Sequence, residues 1–327
     1  MDKKLLLDIF HVPARTFFEE QMSLFIKNYL NKYRIDYNED KHGNIYNLSY
    51  PDKPILNSHM DTVQDENDSM LQHFAKIRGN VLSGYGTIGA DDKCGIYLIL
   101  DIIRERKVNF LFTVEEEIGC VGAGHFVAEN NIRSFPYSLT LDRFGSSDII
   151  CYNNEYGTLK FQNDLSAVGK KFGYNPAKGV LSDADQISDQ LSCANLSVGY
   201  YNHHTKTEFV LVNELEVARN YVLDIIDNLK ENYAAPKKIS GSTGNYGMFD
   251  DMYINFDEEN ICFVTKRRSK NLFYIPSIDK YVSPAGARAL LEDLQNSEAV
   301  YANDNNDDDD DEDEMNSQDF YELYGEM

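Results

Sequence analysis

Apolar positions recur at helical spacing in TFFEEQMSLFIKNYLNKY (16–33), where Phe17, Met22, Phe25, Ile26 and Leu30 share one face and predict a helix. RIDYNED and GNIYNLSY flank the turn signal KHGN and predict two strands. KPILNSH (53–59) is a short apolar strand, and GYGTIGADDKCG (84–95) is a glycine-punctuated loop. KCGIYLILDIIRE (93–105) then has the continuous apolar character of a buried helix. VNFLFTV (108–114) predicts a strand, CVGAGHFVAEN (120–130) a helix, and YSLTL (137–141) and DIICYNN (148–154) two more strands. GVLSDADQISDQL (179–191) reads as a loop leading into a helix, and CANLSVGYY (193–201) as a strand. NELEVARNYVLDIIDNL (213–229) is an amphipathic helix with Asn213 placed to cap it. Strands alternating with helices predict an α/β fold, with a mostly parallel central sheet covered by helices on both faces.

After Asn232 the periodicity weakens. APKKISGSTGNYG (235–247) has linker composition, YINF and ICFVT predict short strands, and SPAGARALLEDLQ (283–295) predicts a helix with Pro284 at its first position. NDNNDDDDDEDEMNSQ lacks the apolar content to join a core and predicts disorder. Three regions follow: a main α/β domain over 1–232, a partly ordered extension over 233–302, and an acidic tail over 303–327.

Charge changes the picture little. The formal net charge is −23, and twelve of the carboxylates lie in the last 25 residues, so the rest of the chain carries about −11. That balance argues against a nucleic-acid backbone as the main partner. Five cysteines at 94, 120, 151, 193 and 262 form no CxxC pair, which argues for reduced, buried thiols rather than a disulfide framework. The N-terminus lacks the apolar core and cleavage site of a leader, and no run approaches 18 apolar residues. A cytoplasmic protein without membrane association is expected.

The chemistry lies where apolar strands end. FTVEEEIGCVGA (112–123) runs from a buried strand straight into Glu115, Glu116 and Glu117. Carboxylates this close raise each other's pKa and cost stability unless a cation offsets them. His59 and Asp61 end KPILNS, Asp142 ends YSLTL, and His203 and His204 follow NLSVGYY. Asp91 and Asp92 open the helix after the glycine loop. In an open α/β sheet such positions gather beyond the carboxyl ends of the parallel strands. His, Asp and Glu without Cys suit zinc or another borderline divalent ion. Each piece alone has an ordinary reading: HxD as a surface pair, GADD as a helix start, EEE as a solvated patch. Five of them in this order argue against coincidence.

The order resembles that of the co-catalytic di-zinc exopeptidases, which comprise the peptidase T and carboxypeptidase group and the zinc aminopeptidases. The matching stretches are HMDTV (59–63), GADDKCG (89–95), EEEIGCVGA (115–123), LDRF (141–144) and HHTKTE (203–208), within roughly residues 14 to 230. The resemblance implies the zinc-exopeptidase variant of the α/β fold (phosphorylase/hydrolase-like), with 1–232 as the catalytic domain. It also implies two divalent metal ions about 3.5–4 Å apart, zinc first, with cobalt and manganese as alternatives. His59, Asp91 and Asp142 would hold one ion; Asp91, Glu117 and His204 the other, with Asp91 bridging. Asp61 would fix the tautomer of His59, and Glu116 would be the general base toward a metal-activated water. The implied activity is hydrolysis of small peptides from one end, as in an aminopeptidase or tripeptidase.

One departure bears on the substrate. Only 61 residues separate Asp142 from His204, too few for the lid domain usual in the peptidase T and carboxypeptidase group. Removal of an acyl group from N-acyl amino acids, or non-catalytic binding on the same fold, are the competing readings. Arg143 is a candidate for a substrate carboxylate and Asp183 or Asp185 for a substrate amino group; an ion pair and a helix cap are their ordinary alternatives. Truncation after Ala302 is expected to leave folding and hydrolysis intact, and loss of the full chain's activity in that truncation would refute it.

Overall fold

The computed structural model describes residues 1–64 and 74–238, and the backbone of 273–275 and 280–282. The chain divides into two units, Met1–Gly244 and Asn245–Met327. In the second, Phe273–Ile275 pairs antiparallel with Lys280–Val282. The strands expected at YINF and ICFVT, the helix at 283–295 and the acidic tail lie outside the described residues.

In the first unit the chain forms α1 (Lys3–Phe10), α2 (Glu20–Tyr33), β1 (Asn38–Glu39), β2 (Ile45–Asn47), β3 (Ile55–His59), β4 (Lys76–Arg78), β5 (Val81–Ser83), α3 (Ala90–Ile102), β6 (Asn109–Thr113) and α4 (Val121–Glu129). It continues with β7 (Ser138–Arg143), β8 (Asp148–Ile150), α5 (Leu159–Gly169), β9 (Asn175–Ala177), α6 (Asp183–Ile187), β10 (Cys193–Ser197), β11 (Tyr200–Tyr201), β12 (Phe209–Leu211) and α7 (Val212–Asn228). The large sheet has the order β1-β2-β6-β3-β7-β10-β8-β9. Its centre, β6-β3-β7-β10, is parallel, and antiparallel pairings flank it.

Side-chain alternation along the buried strands feeds two cores, as expected when both faces of a sheet are covered. Leu56, Phe110, Phe112, Leu139 and Leu141 join one core with α1, α2, α3 and α7. Ile55 and Leu111, one residue out of phase, join the other with Phe126 of α4 and Ile187 of α6. Helices therefore cover both faces, as the alternation predicts. Helix α3 is buried along its whole length. It lies close on β7 because residue 95 is glycine: a Cβ there would sit 2.3 Å from the Leu141 carbonyl oxygen and 2.5 Å from Asp92 Oδ2. Gly95→Ala is expected to destabilise the fold by about 1–3 kcal/mol, the usual cost of overpacking a core. A denaturant melt checks this, and an unchanged midpoint would refute the close approach.

Several elements depart from expectation. Helix α1 was not anticipated; Asp2 caps it, accepting from the Leu5 N–H at 3.0 Å, and Leu5, Leu6, Ile9 and Phe10 are buried. Helix α5, capped by Thr158, was also missed. The strand expected over 148–154 ends at Ile150 and gives way to a 3-10 turn over Tyr152–Asn154. The strand expected over 193–201 is two strands in different sheets. Gly199, with φ of +91°, makes the break, and a Cβ there would lie 2.7 Å from the Leu215 nitrogen. β11 then enters a second, antiparallel sheet, β11-β12-β5-β4, which periodicity did not reveal. Asn213 is not the cap of α7, which begins one residue earlier at Val212. Asn80 does that work from the β4–β5 turn: its backbone oxygen accepts from the Val212 N–H at 2.9 Å and its Oδ1 from the Asn213 N–H at 2.8 Å.

Candidate metal centre

Every proposed metal ligand sits at or just beyond the carboxyl end of a strand, or at the start of α3. His59 is the last residue of β3, Glu115–Glu117 follow β6, Asp142 is near the end of β7, and His204 follows β11. Asp91 lies at the start of α3, where it and Asp92 have non-helical backbone angles.

The structure brings these residues together in two overlapping sets. His59 Nε2 is 3.1 Å from Asp91 Oδ1 and 3.5 Å from Asp142 Oδ1. His204 Nε2 is 2.9 Å from Glu117 Oε1 and 3.4 Å from Asp91 Oδ2. Asp91 thus turns one oxygen toward each histidine. Within each set, His59/Asp91/Asp142 and Asp91/Glu117/His204, one ligand atom per residue lies within 4.8 Å of the others. A tetrahedral ion with bonds near 2.0–2.2 Å has its ligand atoms about 3.3–3.6 Å apart, so the spacing suits one ion per set.

Glu116 belongs to neither of these two sets, though it also groups within the same distance with His59 and Glu117 and with Cys120 and Asp183. Its Oε2 is 3.9 Å from His59 Nε2, and its Oε1 accepts from the Cys120 thiol at 3.5 Å. His203 points elsewhere, its ring stacked on Phe144 at 5.2 Å. Glu115 has a left-handed backbone, φ +55°, and is in none of the ligand clusters among the described residues.

The electrostatics match the crowding read from the sequence. Burial, helped by the neighbouring carboxylates and opposed by the His59 charge, pushes Glu116 well above the carboxylate range. Burial and the Asp91 charge raise Asp142 to about 8. Burial also opposes ionisation of Asp91, but hydrogen bonds from His204 and His59 outweigh it and hold Asp91 well below its usual value. The histidines answer in kind. Against burial, the surrounding carboxylates raise His59 well above its usual value and His204 to about 11. In the metal-free chain both imidazoles therefore favour their charged form beside Asp91, while Glu116 and Asp142 are pushed toward their neutral form. A divalent cation would take over that charge and leave each imidazole neutral, as a ligand must be. The donor set fits such an ion.

The supporting residues are less as expected. The Asp61 carboxylate accepts from the Glu116 and Glu117 N–H groups at 2.9 and 3.2 Å and from the Thr16 hydroxyl at 3.1 Å. It fixes the turn that carries the two glutamates. His59 Nδ1 has its nearest acceptor in the Asp61 backbone carbonyl, at 2.9 Å, while the carboxylate is 3.4 Å away. Asn195 of β10 accepts from the Asp142 N–H at 3.1 Å.

Asp183, the first residue of α6, is buried. Its Oδ2 accepts from Asn57 Nδ2 at 3.2 Å and from the Thr113 hydroxyl, and its Oδ1 has no hydrogen-bond partner. Arg143 pairs with Asp148 at 3.2 Å and stacks over the Phe144 ring. Glu208, which in the sequence only helps to mark His204 rather than His203 as the ligand, is a buried carboxylate; burial, then the Asp91 charge, raises it to about 7. No spacing rule marks it, because its partners are backbone groups far away in sequence.

The profile of Peptidase family M20/M25/M40 matches residues 55–228, which contain all of the site residues above except Thr16. No curated protein matches the chain in sequence. Solved structures resemble it, among them the following three. Aminopeptidase PepT from Bacillus cereus ATCC 10987 has a TM-score of 0.56 at 17% identity, covering 68% of this chain and 96% of that one. A tripeptidase from Staphylococcus aureus subsp. aureus Mu50 has a TM-score of 0.56 at 16% identity, with coverage of 68% and 96%. The TET1 peptidase of Pyrococcus horikoshii has a TM-score of 0.54 at 16% identity, with coverage of 68% and 98%. At these identities the likeness bears on the fold.

Proposed function

The chain belongs to Peptidase family M20/M25/M40, and from that premise we propose a metal-dependent exopeptidase of small peptides, of aminopeptidase or tripeptidase type, working in the cytoplasm. The observation that carries the metal reading is Asp91, whose two oxygens face His59 and His204, each set being completed by a further carboxylate, Asp142 or Glu117. Two divalent cations, zinc first, would supply Lewis-acid activation of water and of the scissile carbonyl.

Glu116 does the proton work. It is the glutamate of the EEE run that stands 3.9 Å from His59 Nε2 yet outside the two ligand sets, and desolvation makes its ionised form a stronger base than an ordinary carboxylate. It takes a proton from the attacking water and passes it to the leaving amine. Residues 143–203 form β8, α5, β9, α6, β10 and β11 within the first unit, which favours the layout of an enzyme without an inserted lid domain.

The test is a panel of free-amine di- and tripeptides beside N-acyl amino acids, each with zinc, cobalt or manganese. Hydrolysis of the free-amine peptides is expected. Preference for N-acyl amino acids would move the reaction to deacylation, and no hydrolysis of either with any metal would overturn the catalytic reading.

A further inference from the structure

We propose that Glu208 is a positioning residue that ties the two halves of the metal centre together, an inference that rests on the metal reading above. The pairing of β12 with β5 sets it up. Phe209, the first residue of β12, lies opposite Ser83, the last residue of β5. Glu208 therefore enters beside the 84–89 loop, which leads into α3 and Asp91. There its carboxylate spans that segment, with Oε2 accepting from the Gly89 N–H at 2.7 Å and Oε1 from the Asp91 N–H at 3.3 Å. The side chain is 1% exposed, so water does not compete for these bonds.

At its other end Glu208 belongs to the turn that carries His204. Its own N–H donates to the Thr205 carbonyl at 3.1 Å, and the Thr205 hydroxyl donates to the Asn202 carbonyl at 2.7 Å. One side chain thus links the backbone of the shared ligand Asp91 to the loop of His204. Asp61 does the same on the other side: it lies two residues past His59 and holds the backbone N–H groups of Glu116 and Glu117. In both cases a carboxylate near a histidine grips the main chain beneath a carboxylate ligand. Glu208 touches neither substrate nor ion, and acts through Asp91 and His204.

Because Asp91 faces both histidines, loosening its backbone should weaken both ions rather than one. Glu208→Gln keeps the volume but turns an NH₂ group toward one of the two backbone donors. Zinc titration of the metal-free protein should show both affinities lower by about 10–100-fold, the usual effect of losing an outer partner of a ligand. Hydrogen exchange on the metal-free native chain should find the Gly89 and Asp91 amides protected, and in Glu208→Gln at least one of them should exchange faster.

Val210→Ala, a core change in β12, is the control; it should lower the melting temperature and leave zinc affinity unchanged. If Glu208→Gln fails to fold, Glu208→Asp, with the carboxylate on a shorter arm, should show the same loss of affinity to a smaller degree. Native zinc affinity in a folded Glu208 variant, or rapid exchange of both amides in the native chain, overturns the role of Glu208 alone. A native chain that takes up no divalent ion overturns it together with the metal reading beneath it.

Discussion

Glu116→Gln is expected to fold and take up metal as the parent does, while turnover falls by roughly 10²–10⁴. Glutamine keeps the size of the side chain and the backbone N–H that Asp61 holds at 2.9 Å, and removes only the basicity. The three consecutive glutamates make the experiment its own control. Glu117 faces His204 at 2.9 Å, so Glu117→Gln should weaken one ion first and be partly rescued by added metal. Glu115 is in no ligand cluster among the described residues, so Glu115→Gln should change little. The measurement is turnover and metal content of the three variants side by side. Peptide turnover by Glu116→Gln at the parent rate would show that the proton is carried elsewhere.

Asp91→Ala should abolish activity and lose both ions. Native protein purified without chelator should carry about two divalent ions per chain. The expectation comes from the two contacts of one carboxylate, at 3.1 Å to His59 Nε2 and 3.4 Å to His204 Nε2. No other residue belongs to both sets. Asp142→Ala should by contrast leave the Glu117/His204 set intact and retain one ion. Metal analysis of both variants decides the matter, and full occupancy in Asp91→Ala would end the bridging assignment.

The strands, and the charged residues that end them, were legible because an apolar run broken by His, Asp or Glu is a local signal. Asp142 follows such a run directly, and His59 and Glu117 come within three residues of one. The position of His204 against His203 was legible only through the resemblance; the structure turns one ring to Glu117 and stacks the other on Phe144. What escaped was held by partners distant in sequence. Asn80 caps α7 from more than 130 residues away, while local sequence points to the nearby Asn213 instead. The strands of the second sheet are two or three residues long, too short for a period to register. Helix α1 is different: its capping Asp2 and its buried residues at helical spacing are a local signal in the sequence itself.

The break at Gly199 has a consequence for the order of assembly. It passes the chain from the large sheet to the small one, so His204 is mounted on a different sheet from His59 and Asp142. The ligands of the two sets therefore emerge at different points of synthesis. His59, Asp91 and Asp142 are all present once residue 142 has emerged, whereas the second set needs His204 and the β12–β5 pairing that closes around it. Contacts this distant in sequence form late. No nascent chain that stops short of residue 204 can hold the second set, however much of the large sheet it has already built.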